Sequence, residues 1–435
     1  MVWQIELLVL GLAILFFFST GLPVAFSFGI LNIIGLYFLC GGETMLNMLS
    51  MSAYSSIVHF SFIAIPLFIL MGEVLHLSGT VTLSFTAIRQ WLRRLPGNLG
   101  LVTISSATLF GALSGASMAS CATIGTIMLP EMKQAGYDKR LSIGAIIGGA
   151  GLAILIPPSV LMVIYAMLSQ LSVGKLLIGG VGPGLLVAFC FALYVIIVAK
   201  ISPHRAPMGD ISPLPFWEKV KASKHFFAMA VIIFLVVGLI YLGVATPSEA
   251  AALGAAGAIL IAALYRKLTW QVLSKAIMET VSISSMIFMI LVGSLAFSKI
   301  LAMTGASAEL CNWVSHLETS KWIILAGMLI IILVLGFFME SASIMFIMIP
   351  IYMPIVAKLG FEPIWFSILV MMCIEVGVMS PPFGLNLFIM KGIAPDDVTM
   401  SDIYLGVIPF VLVHIMVIAL VALIPPIATF LPNLM

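Results

Sequence analysis

The chain has 435 residues, of which 62% are hydrophobic and 8% are charged, and its formal net charge at pH 7 is +2. Soluble globular domains carry about 25% charged residues, so this composition excludes an ordinary soluble enzyme or binding module. Runs such as residues 226–243 are apolar on every face, whereas strands of a membrane barrel would alternate. The sequence therefore predicts an all-α polytopic membrane protein.

Ten crossings are predicted in chain order, because about 20 apolar residues span the hydrocarbon core as a helix. Residues 43–60 mix polar and apolar positions and predict an interfacial helix, and the polar residues 201–224 predict a linker. The crossings are residues 2–19, 21–40, 61–88, 141–169 and 176–199 in the first half, and 226–243, 247–265, 276–304, 363–390 and 403–431 in the second.

Clusters of lysine and arginine predict the side that each loop faces, since cytoplasmic loops collect basic residues. They lie in residues 89–94, 133–140 and 200–224. If the first two are both cytoplasmic, residues 98–132 enter the membrane and return on the same side as a re-entrant hairpin. The alternative, a full crossing, would place one of two adjacent basic loops outside. With the hairpin, both termini face the periplasm.

A set of small residues and helix breakers recurs at a spacing of 224 positions. Its members are Ser117, Pro130, Gly136 and Pro157–Pro158 in the first half, and Ser341, Pro354, Gly360 and Pro381–Pro382 in the second. Because five crossings is an odd number, the second half is inserted upside down. The sequence therefore predicts two inverted-topology repeats, residues 1–224 and 225–435, with re-entrant hairpins at 98–132 and 322–357 and Pro-Pro broken helices at 141–169 and 363–390.

Each predicted repeat leaves helical geometry at its hairpin tip and at its broken helix. Such backbone is tolerated in a bilayer only where it is buried against protein or lines a cavity. Paired prolines remove amide donors and release carbonyls toward a cation, while helix N-termini and hydroxyls favour an anion. A lone proline or glycine is more often a kink or a close helix contact, but the recurrence of the whole pattern favours a joint cation and anion site.

Charged side chains at membrane depth are costly and usually face the protein interior. Glu340 falls at the second hairpin tip and Glu375 in the second broken helix, where each would add cation affinity or hydrogen-bond the broken helix. His76 and His414 are interpreted as packing or hydrogen-bonding between helices, and the five cysteines as small core residues. The sequence shows no nucleophile–base pair, P-loop or metal-ligand spacing, so an embedded enzyme or assembly scaffold is a remote alternative.

Seven segments carry a further signal, and together they sample nearly the whole chain. They are residues 109–117 (LFGALSGAS), 127–132 (IMLPEM), 136–140 (GYDKR), 154–159 (ILIPPS), 349–354 (IPIYMP), 359–366 (LGFEPIWF) and 381–388 (PPFGLNLF). These segments resemble one family, the large membrane (M) subunit of tripartite ATP-independent periplasmic (TRAP) transporters. Glu340 departs from the family pattern, in which an aspartate is expected.

This resemblance implies a bacterial inner-membrane permease that imports a carboxylate, such as a C4-dicarboxylate, a sialic acid or another sugar acid, with Na⁺ as the coupling ion. It implies an elevator mechanism, and it implies two partners, a small (Q) membrane subunit and a periplasmic substrate-binding (P) protein. The chain begins at the first large-subunit span, so a separate Q polypeptide is expected. We expect no organic cofactor and no nucleic-acid partner. A stand-alone ion-coupled carboxylate carrier of related architecture is the main alternative.

The resemblance also assigns site residues. For the first cation site they are Ser114, Gly115 and Ser117 with carbonyls around Gly151, Ile156 and Pro157, for the second they are Ser341, Ser343, Glu340, Gly377 and Ser380, and for the substrate they are Ser117, Ser341 and Asn386.

Overall fold

The computed structural model describes residues 2–20, 22–40, 42, 54, 58, 60–207, 216–316 and 319–435, and these residues form helices and turns without a strand. Among them, six helices are long and apolar enough to cross a membrane, and several shorter apolar helices accompany them. The prediction of an all-helical membrane protein is confirmed. The predicted interfacial helix at 43–60 lies outside the described residues except at isolated positions.

Nine helices cover the described part of the first half. They are α1 (Val2–Ser19), α2 (Val24–Leu39), α3 (Ala64–Leu77), α4 (Thr82–Leu92), α5 (Asn98–Ser114), α6 (Ser117–Gln134), α7 (Lys139–Gly151), α8 (Val160–Leu168) and α9 (Val173–Ile201).

Ten helices cover the described part of the second half. They are α10 (Phe216–Ile233, extended by a π-helical turn at Phe234–Gly238 and a last turn at Leu239–Tyr241), α11 (Pro247–Leu264), α12 (Trp270–Met303), α13 (Ala306–His316), α14 (Lys321–Gly336), α15 (Ser341–Leu359), α16 (Pro363–Met379), α17 (Leu385–Ile393), α18 (Met400–Leu423) and α19 (Pro426–Asn433).

Helix boundaries recur between the halves at the spacing found in the sequence. Helices α6 and α15 begin 224 residues apart, as do α7 and α16, and α4 and α13 share both limits at this spacing. The local signals that start helices therefore repeat together with the motifs. The inverted insertion of the second half stays a prediction, because helix boundaries do not say which side of the membrane each helix end faces.

Three predicted segments differ from the structure. The crossing at 61–88 is two helices, since Gly79 has a φ of +64° and the Thr82 hydroxyl donates to its carbonyl at 2.7 Å. Hydropathy averaged over a window hides this break, because the apolar helices on either side outweigh the small and polar residues of the turn. The crossing at 403–431 likewise ends at Leu423, before the prolines that start α19, and α10 begins at Phe216 inside the predicted linker.

The helices pack as two groups. The first contains α2, α3, α11 and α12, and the second contains the hairpins, the broken helices and α18. Helix α3 packs on α11 and α12, and α12 packs on α2, whereas α7 packs on α5, α6 and α18, and α16 packs on α14 and α18. The groups meet where α3 contacts α5 and α8 and where α12 contacts α15, and α4 and α13 bridge them. Both predicted hairpins and both broken helices fall in the second group.

Candidate functional site

The first hairpin tip is a two-residue turn between α5 and α6. Gly115 has a φ of +65°, a left-handed conformation that favours glycine, and its amide donates to the Gly111 carbonyl at 2.7 Å. Ala116 is extended and α6 begins at Ser117. The Ser-Gly-Ala-Ser sequence thus ends one helix and starts the next within four residues. The backbone amides in the first turn of α6 have no acceptor within the helix, and they point out of its N-terminal end toward the tip.

Asn386, in the first turn of α17, reaches the start of α6. Its Nδ2 donates to the Ser117 hydroxyl at 2.7 Å, and the two side chains are buried. Asn386 Oδ1 is also buried and has no hydrogen-bond partner within the described residues. A hydroxyl, an unpaired amide oxygen and two helix N-termini therefore meet at one place.

The second hairpin tip precedes α15. Glu340 is the extended residue before the helix, and its carboxylate accepts a hydrogen bond from the Ser343 hydroxyl at 3.4 Å. Ser341 and Ser343 are buried, and Glu340 is half-buried. The tip contains both predicted serines and the predicted carboxylate, and α15 packs against α8.

Both paired prolines lie in gaps between helices. Helix α7 ends at Gly151 and α8 starts at Val160, capped by Ser159, while α16 ends at Met379 and α17 starts after Gly384. The two Pro-Pro peptide bonds are cis. Proline has no amide hydrogen, so Pro157 and Pro158 cannot pair with carbonyls one turn earlier.

Small residues bring each hairpin against the broken helix of its own half. A Cβ on Gly111 would lie 2.7 Å from the Cβ of Ala153, and one on Gly336 would lie 2.6 Å from the Cα of Gly377. Any larger side chain there would push the helices apart. These contacts set how closely the tips approach the breaks.

A buried acidic residue of the second half lies against the first broken helix. Glu375 of α16 is fully buried, and a Cβ on Gly151 would lie 2.9 Å from its Oε1. His414 of α18 is equally buried, with Nδ1 3.6 Å from the same oxygen. This close approach of Glu375 and His414 was not predicted, because only packing brings together residues that are far apart in sequence. It agrees with the interpretation of His414 as a residue between helices.

Ion pairs join helix ends on one side of the second group. Lys139 and Arg140 at the start of α7 contact Asp402 at the start of α18, at 2.5 and 3.3 Å, and Lys133 contacts Asp397 at 2.8 Å. The hydrogen bond from Lys133 lowers the pKa of the exposed Asp397 carboxyl. The basic cluster at 133–140 thus also ties the first half to the second.

Some of the predicted site residues lie next to one another in the structure, and others lie in different places. Ser114 and Gly115 share the first tip with Ser117, which Asn386 contacts directly, and Gly151 lies against Glu375. Ser380 lies in the second break, and its buried hydroxyl has no partner within the described residues. Ser341 lies on the other tip, and its proposed share in the substrate site stays a prediction, as does every liganding role.

Comparison with known proteins identifies the family. A family model described as tripartite ATP-independent periplasmic transporter, DctM component, matches residues 10–427. This chain belongs to the DctM family. It is the large membrane subunit of a bacterial TRAP transporter, as the motifs predicted, and its relatives are transporter permeases, so the prediction that it is not an enzyme is also confirmed.

Relatives of this DctM protein span nearly its whole length. A C4-dicarboxylate TRAP transporter large permease protein of Rhodobacter capsulatus is 31% identical and matches 96% of each chain. A sialic acid TRAP transporter large permease protein of Vibrio cholerae is 28% identical and matches 95% of each. The solved YdaH transporter of Alcanivorax borkumensis aligns over 90% of this chain and 89% of its own, with a TM-score of 0.62 and 12% identity, which shows a shared fold alone.

Proposed function

We propose that this subunit imports a carboxylate across the bacterial inner membrane, driven by a Na⁺ gradient. The observation that carries the proposal is the buried contact between Ser117 and Asn386, at the starts of α6 and α17. Helix N-termini, hydroxyls and amides attract an anion. The printed names of two relatives, for C4-dicarboxylate and sialic acid, support a substrate of the carboxylate class.

Cations bind at each tip beside a break. The first site uses Ser114, Gly115 and Ser117 with carbonyls between Gly151 and Pro157. The second uses Ser341, Ser343 and Glu340 with carbonyls from Gly377 to Ser380. Support comes from the packing of Gly111 on Ala153 and of Gly336 on Gly377, which brings each tip next to backbone that lacks helical partners.

The two halves are inverted repeats, and the second helix group moves as an elevator against the first. The recurrence of helix boundaries at 224 residues supports the repeats. The packing of α3 mainly on α11 and α12, and of the broken helices mainly on the hairpins and α18, supports a scaffold and a moving body that meet where α3 contacts α5 and α8 and where α12 contacts α15. The basic loops at 89–94 and 133–140 face the cytoplasm, and both termini face the periplasm.

Two partners complete the transporter. The family description as a tripartite periplasmic system supports a small Q membrane subunit and a periplasmic binding protein that delivers the substrate. The binding protein would account for much of the selectivity, because this chain offers only hydroxyl, amide and backbone groups at Ser117 and Asn386.

Uptake of labelled carboxylates into proteoliposomes tests the proposal. The vesicles contain this chain, its Q subunit and the cognate binding protein, with or without an inward Na⁺ gradient. Uptake that needs all three proteins and the gradient is expected. Uptake by this chain alone would identify a stand-alone carrier, and uptake without Na⁺ would contradict the cation sites.

Bulky replacements at the tips test the site itself. Ser117→Trp and Ser341→Trp should abolish Na⁺-dependent uptake while membrane insertion stays normal, because each indole would fill space beside a break. Thr126→Trp is the matched control, since Thr126 is exposed on the outer face of α6. Normal uptake by the tip variants would remove the tips from the mechanism.

A further inference from the structure

A large apolar cavity lies between the two helix groups, beside the first hairpin and the first break. Its volume is about 630 Å³. Helices α4 and α10 form one wall and α5 and α9 the other, and Ile156 of the first break closes one side. Lining residues include Ile88 and Trp91 of α4, Leu109 and Ala112 of α5, Ala188 of α9 and Phe226 of α10. We propose that this cavity binds one anionic phospholipid of the surrounding membrane.

The lining selects an acyl chain over the carboxylate substrate. Almost all of it is aliphatic or aromatic, and a carboxylate placed there would lose its hydration without ionic partners. An acyl chain has no hydration to lose there, and it is flexible enough to make dispersion contacts throughout an irregular space. The cavity is therefore a lipid site, separate from the site at Ser117.

Polar groups in the cavity match the glycerol ester region of a phospholipid. Thr108 is among the lining residues, and its hydroxyl is buried and has no hydrogen-bond partner in the described part of the chain. At the C-terminal end of α4, the Trp91 indole donates to the Ser223 hydroxyl of α10 at 2.9 Å, which joins the two helices of one wall. Rotation of the Thr108 side chain toward the cavity would let an ester carbonyl supply the acceptor that its hydroxyl lacks.

Basic residues follow the lining residues at this same end. Arg93 and Arg94 come directly after Trp91 and Leu92 of the lining, and the exposed Lys224 comes directly after Ser223. Basic pockets between membrane helices bind anionic headgroups. Charge this close in sequence to the lining of an apolar cavity selects an anionic lipid over a zwitterionic one.

Lipid retained on purification from native membranes measures the binding. Phospholipid per protein is quantified by mass spectrometry for the wild type, for Ala188→Trp, which fills the cavity, and for Ala256→Trp, a control on the exposed face of α11. Ala188→Trp should lose one tightly held phospholipid that Ala256→Trp keeps. Equal retention by all three proteins would overturn the proposal.

Headgroup selectivity is measured without filling the cavity. Brominated phosphatidylglycerol should quench Trp91 fluorescence, read as the difference between wild type and Trp91→Phe, at lower mole fraction than brominated phosphatidylcholine. The double variant Arg93→Gln, Arg94→Gln should weaken the phosphatidylglycerol effect about 30-fold, from the attraction of two basic side chains to an anionic headgroup. Equal quenching by both lipids, or no change in the double variant, would overturn the anionic assignment.

Discussion

Asn386 is the residue through which the second half reaches the first hairpin tip. Its Nδ2 satisfies the buried Ser117 hydroxyl, while its Oδ1 stays without a partner within the described residues. Buried polar atoms are usually paired, and an unpaired one costs free energy. The free oxygen and the two helix N-termini beside it are therefore the strongest local sign of a binding site.

Removing the Asn386 amide should impair uptake. Asn386→Ala leaves the Ser117 hydroxyl buried without its donor, so we expect uptake in the tripartite proteoliposome assay to fall by roughly tenfold or more. Thr126→Ala is the control, because Thr126 is exposed and bonds only to its own helix. Unchanged uptake by Asn386→Ala would exclude this contact from the transport site.

At the scale of elements, glycine pairs decide how closely helices approach. Gly336 ends α14 directly against Gly377 of α16, with no room for a Cβ. Gly327 lies in the same helix, but a Cβ there would meet nothing within 4 Å. The two positions share backbone conformation and differ in packing.

Gly336→Val should therefore destabilise the protein and Gly327→Val should not. Overpacking at Gly336 is expected to cost about 1–3 kcal/mol, seen as a lower Tm of the purified protein in detergent. Because both variants place valine in α14, helix propensity cancels in the comparison. Equal Tm values would show that α14 and α16 are not in contact at these glycines.

A second contact between elements links the two helix groups. Pro350 in α15 cannot donate to the Phe346 carbonyl one turn earlier. The hydroxyl of Ser294, from α12 in the other group, donates to that carbonyl. The proline thus leaves the Phe346 carbonyl without its usual helical donor, and the Ser294 hydroxyl of the neighbouring helix takes the place of that donor.

Ser294 and Pro350 should be energetically coupled. Ser294→Ala leaves the Phe346 carbonyl buried without a partner, which is expected to cost about 1–3 kcal/mol of unfolding free energy. In a Pro350→Ala background the helix supplies its own amide, so the same change should cost less. A double-mutant cycle measures the difference, and additive effects would contradict the coupling.

At the scale of the whole molecule, ion pairs at helix ends hold the halves together outside the apolar core. Lys133 lowers the pKa of Asp397. A carboxylate whose folded-state pKa is lowered adds stability above its unfolded pKa of about 3.9, and this contribution is lost as pH falls through the folded-state value. The protein should lose part of its stability under acid conditions for this reason.

Asp397→Asn should reduce that acid sensitivity. Between about pH 6 and about pH 3, the Tm of the wild type should fall more than that of the variant. Asp396→Asn provides a neighbouring control, because the described salt bridge to Lys133 uses Asp397. Parallel Tm curves for wild type and Asp397→Asn would contradict a contribution from this pair.

The sequence by itself determined the class, the family and the positions of the helix breaks. Composition required a membrane protein, and the signals at Ser117, Ser341 and the two proline pairs are local, because glycine and proline act on their own backbone. The break at Gly79 was missed, because its apolar neighbours kept the averaged hydropathy high across the turn and the segment was predicted as one crossing.

The tertiary structure decided which of these side chains touch. The family resemblance grouped Ser117 with Asn386 as substrate residues, but neither local propensity nor the spacing of 224 specifies a direct contact between two side chains that are 269 residues apart. Packing also produces three further features. They are the close approach of Glu375 and His414, the hydrogen bond from Ser294 to the carbonyl freed by Pro350, and the cavity beside Trp91. Side-chain contacts between distant segments depend on how helix surfaces fit together, and that fit is a property of the folded chain.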